Sequence, residues 1–287
     1  MSGDSDKYRF LLIQPYSLPD TSPYLMRSTS GVKEVALMNY QELKHLLADV
    51  TWDLDPGPLA PHGDGGVEME EEFARAGVAR LPIVREACGS GRYNAIVLLG
   101  GGDPGFAEAR EIGRRFRVPV TTCAHSQMHV ACMLGNRFSM IDVSETHNMH
   151  MYNLVVRYRF TDKCASIRNV DFPLPRPGFE DTCPIRIEQA KAAAGERSAL
   201  LDRAVNEAIA AIEDDGAEVI ILGCSAIFWM QRYLQARLHG AGWDAPVLEG
   251  YRCAIAQAKL LVDLGVDASG LAIPVDRPVR SRRRKVF

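Results

Sequence analysis

Branched and aliphatic residues gather along this chain in short runs, each closed by glycine, proline or small polar residues. Segments 10–13, 95–99, 118–122, 138–143 and 218–222 are the clearest of these runs and predict buried strands. Between them, 69–76, 106–117, 188–211 and 254–264 carry the Ala, Glu, Arg and Leu content of helices. Strand-like and helix-like stretches that alternate in this way predict an α/β protein with doubly wound parallel sheets, helices covering both faces. The segments NAIVLLGGGD at 94–103 and AEVIILGCSA at 217–226 resemble each other, each a buried run that ends in glycine and a loop of small residues. Two similar halves are therefore expected. Ligands of open α/β sheets bind beyond the carboxyl ends of the strands, so the loops after Leu99 and Leu222 are the walls of the expected site.

Composition narrows the class of function. With 287 residues, 47% of them hydrophobic, the chain can build substantial cores. A formal net charge of −3 gives no field to attract a polyanion, which argues against nucleic acid and anionic membranes as partners. No signal-like segment opens the sequence and the apolar runs are too short to span a bilayer, so a cytoplasmic protein is expected. Cysteines at 88, 123, 132, 164, 183, 224 and 253 form no CxxC pair, a spacing that suits reduced thiols better than a disulfide frame or zinc knuckle. The Pro- and Gly-rich stretches 56–66 and 172–184 read as surface connections, and the basic tail 277–287 as a solvated end.

Gly100, Gly102 and Gly105 spell G-x-G-x-x-G between a strand and a helix. About ninety residues precede that strand, however, and no acidic residue closes the next one to hold a ribose, so a dinucleotide is not expected. The loop can instead bring backbone amides close to a carboxylate or enolate-like oxygen. Cys224 lies past a buried strand, in a turn leading to the helix-like SAIFWMQRYLQ, whose first amides would favour a thiolate. His125, Asp142, Glu145, His147 and His150 follow two other strands and could gather on one rim as general acids or bases. Their spacing matches no strong metal signature. Gln14 and Ser17, at the end of the first strand with Pro15 and Tyr16, face the same crevice as candidate substrate ligands. Gly101, Asp103, Cys123 and Ser225, in the neighbouring loops, join that set.

The stretches LLIQPYS at 11–17, GGDPGFAEARE at 101–111, LGNRFSMID at 134–142, CASIRNVDFPL at 164–174, LGCSA at 222–226 and PVLEGYRCAIAQAKLLVDLG at 246–265 carry a wider resemblance. In this order they resemble the aspartate/glutamate/hydantoin racemase superfamily, the hydantoin racemase branch above all. The resemblance implies two pseudo-symmetric α/β domains, 1–120 with 246–287 and 121–245, with a cofactor-free site in the cleft between them. It also implies two proton-transferring cysteines, of which Cys224 matches the second. The first would fall at Gly100 or Gly101, neither of which has a side chain. Asp142 stands where hydantoin racemases look more like a threonine, and His125 where they often resemble a glutamate.

Racemisation needs an acid and a base on opposite faces of a planar intermediate. One thiol therefore points to hydrolase, desulfhydrase or lyase-type chemistry on a hydantoin-like or thiohydantoin-like ring or a related small carbonyl acid. Cys224 would then be nucleophile or sole acid/base, with His125 and Asp142 as catalytic partners. A racemase with a non-cysteine second base, a single-thiol decarboxylase and an inactive metabolite-binding protein are the alternatives. A small molecule is the expected partner, and self-association is left open.

Overall fold

The computed structural model describes residues 7–178, 185–275 and 280. Two four-stranded parallel sheets frame it. The first has the order β2-β1-β3-β4, with β1 at Tyr8–Ile13, β2 at Val50–Asp55, β3 at Ala95–Leu98 and β4 at Val120–Thr122. The second repeats it as β6-β5-β7-β8, with β5 at Phe138–Asp142, β6 at Cys164–Asn169, β7 at Val219–Leu222 and β8 at Val247–Leu248. The identical order makes the halves pseudo-symmetric α/β units, as the repeated strand-and-glycine segments predict.

Every residue of β3, β5 and β7 is buried, which is why these strands stand out as continuous apolar runs. Their neighbours β2 and β6 lie on sheet edges, β6 half-exposed throughout, and VTWDLD and CASIRN give no such signal. One apolar core runs through both lobes, joining Phe10, Leu12, Val97 and Leu99 to Ile141, Val143, Ile220 and Leu222.

In chain order the helices are α1 (Lys33–Ala36), α2 (Tyr40–Leu43), α3 (Glu70–Gly89), α4 (Phe106–Phe116) and α5 (Cys123–Leu134). There follow α6 (Glu145–Arg157), α7 (Ile185–Ala193), α8 (Ala199–Glu213), α9 (Gln231–Gly240) and α10 (Gly250–Asp263). Helix α3 runs well past the expected end at residue 76, through Gly77 and Pro82. Gly77 is where α3 meets the loop before α4: a Cβ there would lie 2.6 Å from the Gly105 amide nitrogen. The last glycine of the G-x-G-x-x-G pattern thus serves helix packing. The single helix expected over 188–211 is broken instead, where Gly195 takes a φ of +76° and Ser198 caps α8 by accepting from the Leu201 amide.

The chain crosses between lobes twice. Thr121 and Thr122 belong to β4 of the first sheet, and β8 pairs with β7, so the return to the first lobe comes with α10 rather than at residue 246. A two-residue strand is too short to be visible in sequence.

The loops over 56–66 and 172–178 are more than surface connections. The Ala60 amide donates to the Ser17 carbonyl at 2.9 Å and the Gly66 amide to the Pro175 carbonyl at 2.9 Å. The Leu174 amide donates to Glu68 Oε1 at 2.6 Å, and Arg176 pairs with Glu72. Both loops are thereby drawn over the carboxyl ends of the strands, and Leu174 is buried there. Cys183 and most of the basic tail lie outside the described residues. No helix among the described residues is long and apolar enough to cross a membrane.

Candidate active site

Gln127 of α5 fixes the end of β7: its Oε1 accepts from the Leu222 amide at 3.2 Å and its Nε2 donates to the Leu222 carbonyl at 3.0 Å. Gly223 and Cys224 follow at once. The Cys224 carbonyl accepts from the Ile227 amide at 3.1 Å, which opens a 3-10 helix at Ser225–Met230, and α9 begins only after it. The expected α-helix start at Cys224 is therefore absent, and the sulfur caps no amide. Its polar partner is an imidazole.

That imidazole belongs to His147, in the first turn of α6. Its Nδ1 lies 2.6 Å from Oδ2 of Asp142, at the end of β5, whose Oδ1 accepts from the Val143 amide at 2.9 Å. With Nδ1 so engaged, the other ring nitrogen is left for Cys224, with whose thiol the imidazole interacts. Burial by itself would lower the His147 pKa, but the Asp142 carboxylate and Cys224 outweigh it and hold the group well above its ordinary range. Gly223 makes room for this arrangement, since a Cβ there would lie 2.6 Å from Asp142 Cγ. Asp142, His147 and Cys224 thus form a buried carboxylate–imidazole–thiol series.

Cys224 opens on a cavity of about 40 Å³, lined also by His147, Ser225, Tyr16, Arg27, Phe73, Leu174 and the Gly100–Gly102 loop, with no other cysteine among the lining residues. The glycine loop rests directly on the Cys224 loop: a Cβ on Gly101 would lie 2.0 Å from the Gly223 carbonyl oxygen and 2.8 Å from Cys224 Cα. Gly100 holds a φ of +107° against Pro15. Neither position can carry a thiol in this geometry.

A larger chamber of about 480 Å³ adjoins it, lined by Gln14, Ser17, Leu18, Asp20, Leu25, Lys33 and Leu54. Tyr16 and Arg27 line both spaces. Gln14 is 3% exposed, and neither atom of its carboxamide has a hydrogen-bond partner. Ser17 Oγ donates to the Gly57 carbonyl at 3.2 Å. Burial raises the Tyr16 phenol, whose ring stands edge-on to His62 at 4.8 Å.

Other sequence candidates have structural work. His150 stacks on Phe73, with ring centroids 3.5 Å apart, and its Nε2 donates to the Gly102 carbonyl at 2.8 Å, so it supports the glycine loop from behind. Asp103 accepts from the Thr122 hydroxyl, the Ala124 and His125 amides and the Tyr158 hydroxyl, fastening the start of α5 instead of facing the cavity. Burial still pushes its carboxyl up to about 6. Cys123 is fully buried, its thiol 3.7 Å from the Leu98 carbonyl and raised well above the ordinary range by burial. His125 packs against Phe106 and Tyr158, with Nε2 3.1 Å from that of His129, and burial lowers it to about 3. It does not line the thiol cavity. Arg27, Val67, Phe73 and Leu174 are lining residues that sequence reasoning missed: Arg27 and Leu174 lie well down long strand-end loops, Val67 just before α3 and Phe73 within it, and none stands directly after a predicted strand. No group of three or more metal-ligating side chains occurs among the described residues.

Fold and site together define a two-lobed α/β enzyme whose strand-end loops converge on one buried thiol. The model of the Asp/Glu/Hydantoin racemase family matches residues 59–258, and the chain belongs to that family. It is 28% identical over 211 residues to the hydantoin racemase of Paenarthrobacter aurescens, covering 71% of this chain and 78% of that one. It is 27% identical over 242 residues to the hydantoin racemase of Rhizobium meliloti, covering 84% and 88%. Allantoin racemase from Klebsiella pneumoniae superposes with a TM-score of 0.64 at 22% identity, covering 91% of this chain and 90% of the other.

Proposed function

We propose that this enzyme acts without a cofactor on a hydantoin-like or thiohydantoin-like ring, using Cys224 as nucleophile and His147 as its proton carrier. The carrying observation is the one-sidedness of the cavity in thiols: the Asp142–His147–Cys224 series on one wall, and side-chain-free glycine where the resemblance expects a second cysteine. In this reading the sulfur adds to a ring carbonyl or thiocarbonyl carbon while its proton passes to His147. Asp142 holds the imidazole in orientation and offsets its charge. In the same reading the Gly101 and Gly102 amides, which donate no hydrogen bond to another backbone group among the described residues, receive the developing negative charge. On a carbonyl the ring C–N bond then breaks, the nitrogen takes the proton from His147, and water activated by the same imidazole frees the thioester. On a thiocarbonyl, hydrogen sulfide leaves instead and water supplies the replacing oxygen.

A second reading, racemisation, is favoured by a different observation. The Tyr16 hydroxyl is buried in the same cavity and close enough to Cys224 to feel its charge, yet comes from the end of β1 in the other lobe. It could serve as the second acid/base, in keeping with the relatives' names. Incubation with hydantoins and 2-thiohydantoins in heavy water separates the two readings. Ring opening or released sulfide, lost in Cys224→Ser, supports the nucleophilic route. Deuterium at the α-carbon with inversion, lost in Tyr16→Phe, overturns it in favour of racemisation.

A further inference from the structure

We infer that the 480 Å³ chamber is a subsite for an acidic side arm of the substrate, whose carboxylate Arg27 and Gln14 hold; this rests on the ring-substrate reading above. The thiol cavity, at about 40 Å³, takes only the reacting part of a ligand, whereas the chamber lies within the ordinary range of small-molecule pockets. A substituent on the ring must pass Tyr16 and Arg27, which wall both spaces.

Arg27 is set there as a fixed cation. Its Nη1 donates to the Tyr16 carbonyl at 2.6 Å, and the guanidinium lies 4.6 Å from the Tyr16 ring centroid. Among the described residues no carboxylate pairs with it; its bonds go to the Tyr16 carbonyl and phenol, which leaves further N–H donors of its five for a planar acceptor. Gln14 is the second, independent observation: a buried carboxamide on the chamber wall with both polar atoms unsatisfied. Buried amides without partners are rare, and a ligand group that accepts from Nε2 would remove the donor's share of the cost. Leu18, Leu25 and Leu54 supply apolar wall for the methylenes of an arm.

The charges around the chamber favour an acid over a neutral amide or ureido group. Lys33 joins Arg27 on the wall, its Nζ bonded to the Trp52 carbonyl and not to an acid, and Asp20 is the one carboxylate among the described residues that line the chamber. A neutral arm would satisfy Gln14 but leave the guanidinium unpaired.

The hydantoins derived from glutamic acid and from glutamine are a matched probe pair, differing only in carboxylate against carboxamide. Titrated calorimetrically into Cys224→Ser protein, the acid should bind about 10- to 100-fold more tightly than the amide, the range of one charge-assisted pair. In Arg27→Gln that ratio should collapse toward one, and in Arg27→Lys, which keeps the charge without the fork, part of it should persist. A ratio near one in the parent, or one that survives Arg27→Gln, overturns the subsite while leaving the ring reading intact. Failure of both hydantoins to bind overturns the two together. Turnover by the unmodified enzyme, tested against Cys224→Ser, judges the ring chemistry separately.

Discussion

Gly101→Ala is the sharpest perturbation of the contact that closes the thiol cavity. The added methyl would start 2.0 Å from the Gly223 carbonyl oxygen and 2.8 Å from Cys224 Cα, against ordinary contact at 3.4 Å or more. Both obstacles are backbone, so relief requires the two strand-end loops to part by more than an ångström. Overpacking of this kind costs about 1–3 kcal/mol, and the upper end applies where no side chain can swing away. For a protein of this size each kcal/mol lowers the melting temperature by roughly 2–4 °C. Because Cys224 moves with its loop, an ångström of displacement from the reacting carbon should lower kcat/KM by roughly 100-fold. Thermal melts and steady-state kinetics on the same preparation read both effects. Gly101→Cys meets the same obstruction, so restoring a thiol at that position should not restore two-thiol racemisation. A Gly101→Ala enzyme that melts and turns over like the parent would refute the reasoning.

Asp142→Asn keeps an acceptor for the Val143 amide but presents an N–H donor option to His147 Nδ1, and kcat should fall by at least about 100-fold with the fold intact by circular dichroism. Glu249 caps α10 through the Tyr251 and Arg252 amides while burial pushes it from 4.5 up to about 7. A raised acid contributes stability below its unfolded pKa that is lost as pH rises through the folded one, so Glu249→Gln should gain on the parent by about 2–3 kcal/mol between pH 5 and pH 8. Urea midpoints at the two pH values measure it, and parallel profiles would count against the burial argument. His125→Gln should leave turnover close to the parent's, since the ring does not line the thiol cavity; a large loss in kcat would show a contact with the reacting groups.

Much of the fold was readable because the central strands are covered on both faces and appear as unbroken apolar runs. The edge strands were hidden for the complementary reason: half-exposed CASIRN and the two residues of β8 differ little from loop. The end of α3 was misjudged because Gly77 serves packing instead of termination and the exposed Pro82 is carried within the helix. At the site, Cys224, Asp142 and His147 were each visible as polar residues at the ends of predicted strands. Their mutual order was not, because it depends on Gly223 leaving space for Asp142 and on Nδ1 being the nitrogen already engaged. His125 and Asp103 have the same residue types at equally promising strand ends, and only packing separates them from the cavity.

The repeat between the halves explains why a missing side chain can be a structural commitment. Each sheet ends its third strand in a glycine-containing loop, and the two loops meet, so the pseudo-symmetric arrangement offers two equivalent places for a thiol. In the second lobe that place is filled by Cys224, backed by His147 and Asp142. In the first, the left-handed φ of Gly100 and the approach of Gly101 to the Gly223 carbonyl let the backbone itself occupy the space. The closeness of the loops and the absence of the second thiol are therefore one property, since a side chain at 101 would hold the loops apart. In the proposed reaction, chemistry that depends on this closeness proceeds from the Cys224 wall, with main-chain amides, the Tyr16 hydroxyl and the Arg27 guanidinium lining the same cavity. That is why Gly101→Ala, which opens the gap without adding a reactive atom, and Tyr16→Phe, which removes a reactive atom without opening the gap, must give opposite patterns if the thiol acts as a nucleophile: activity lost in the first and largely kept in the second.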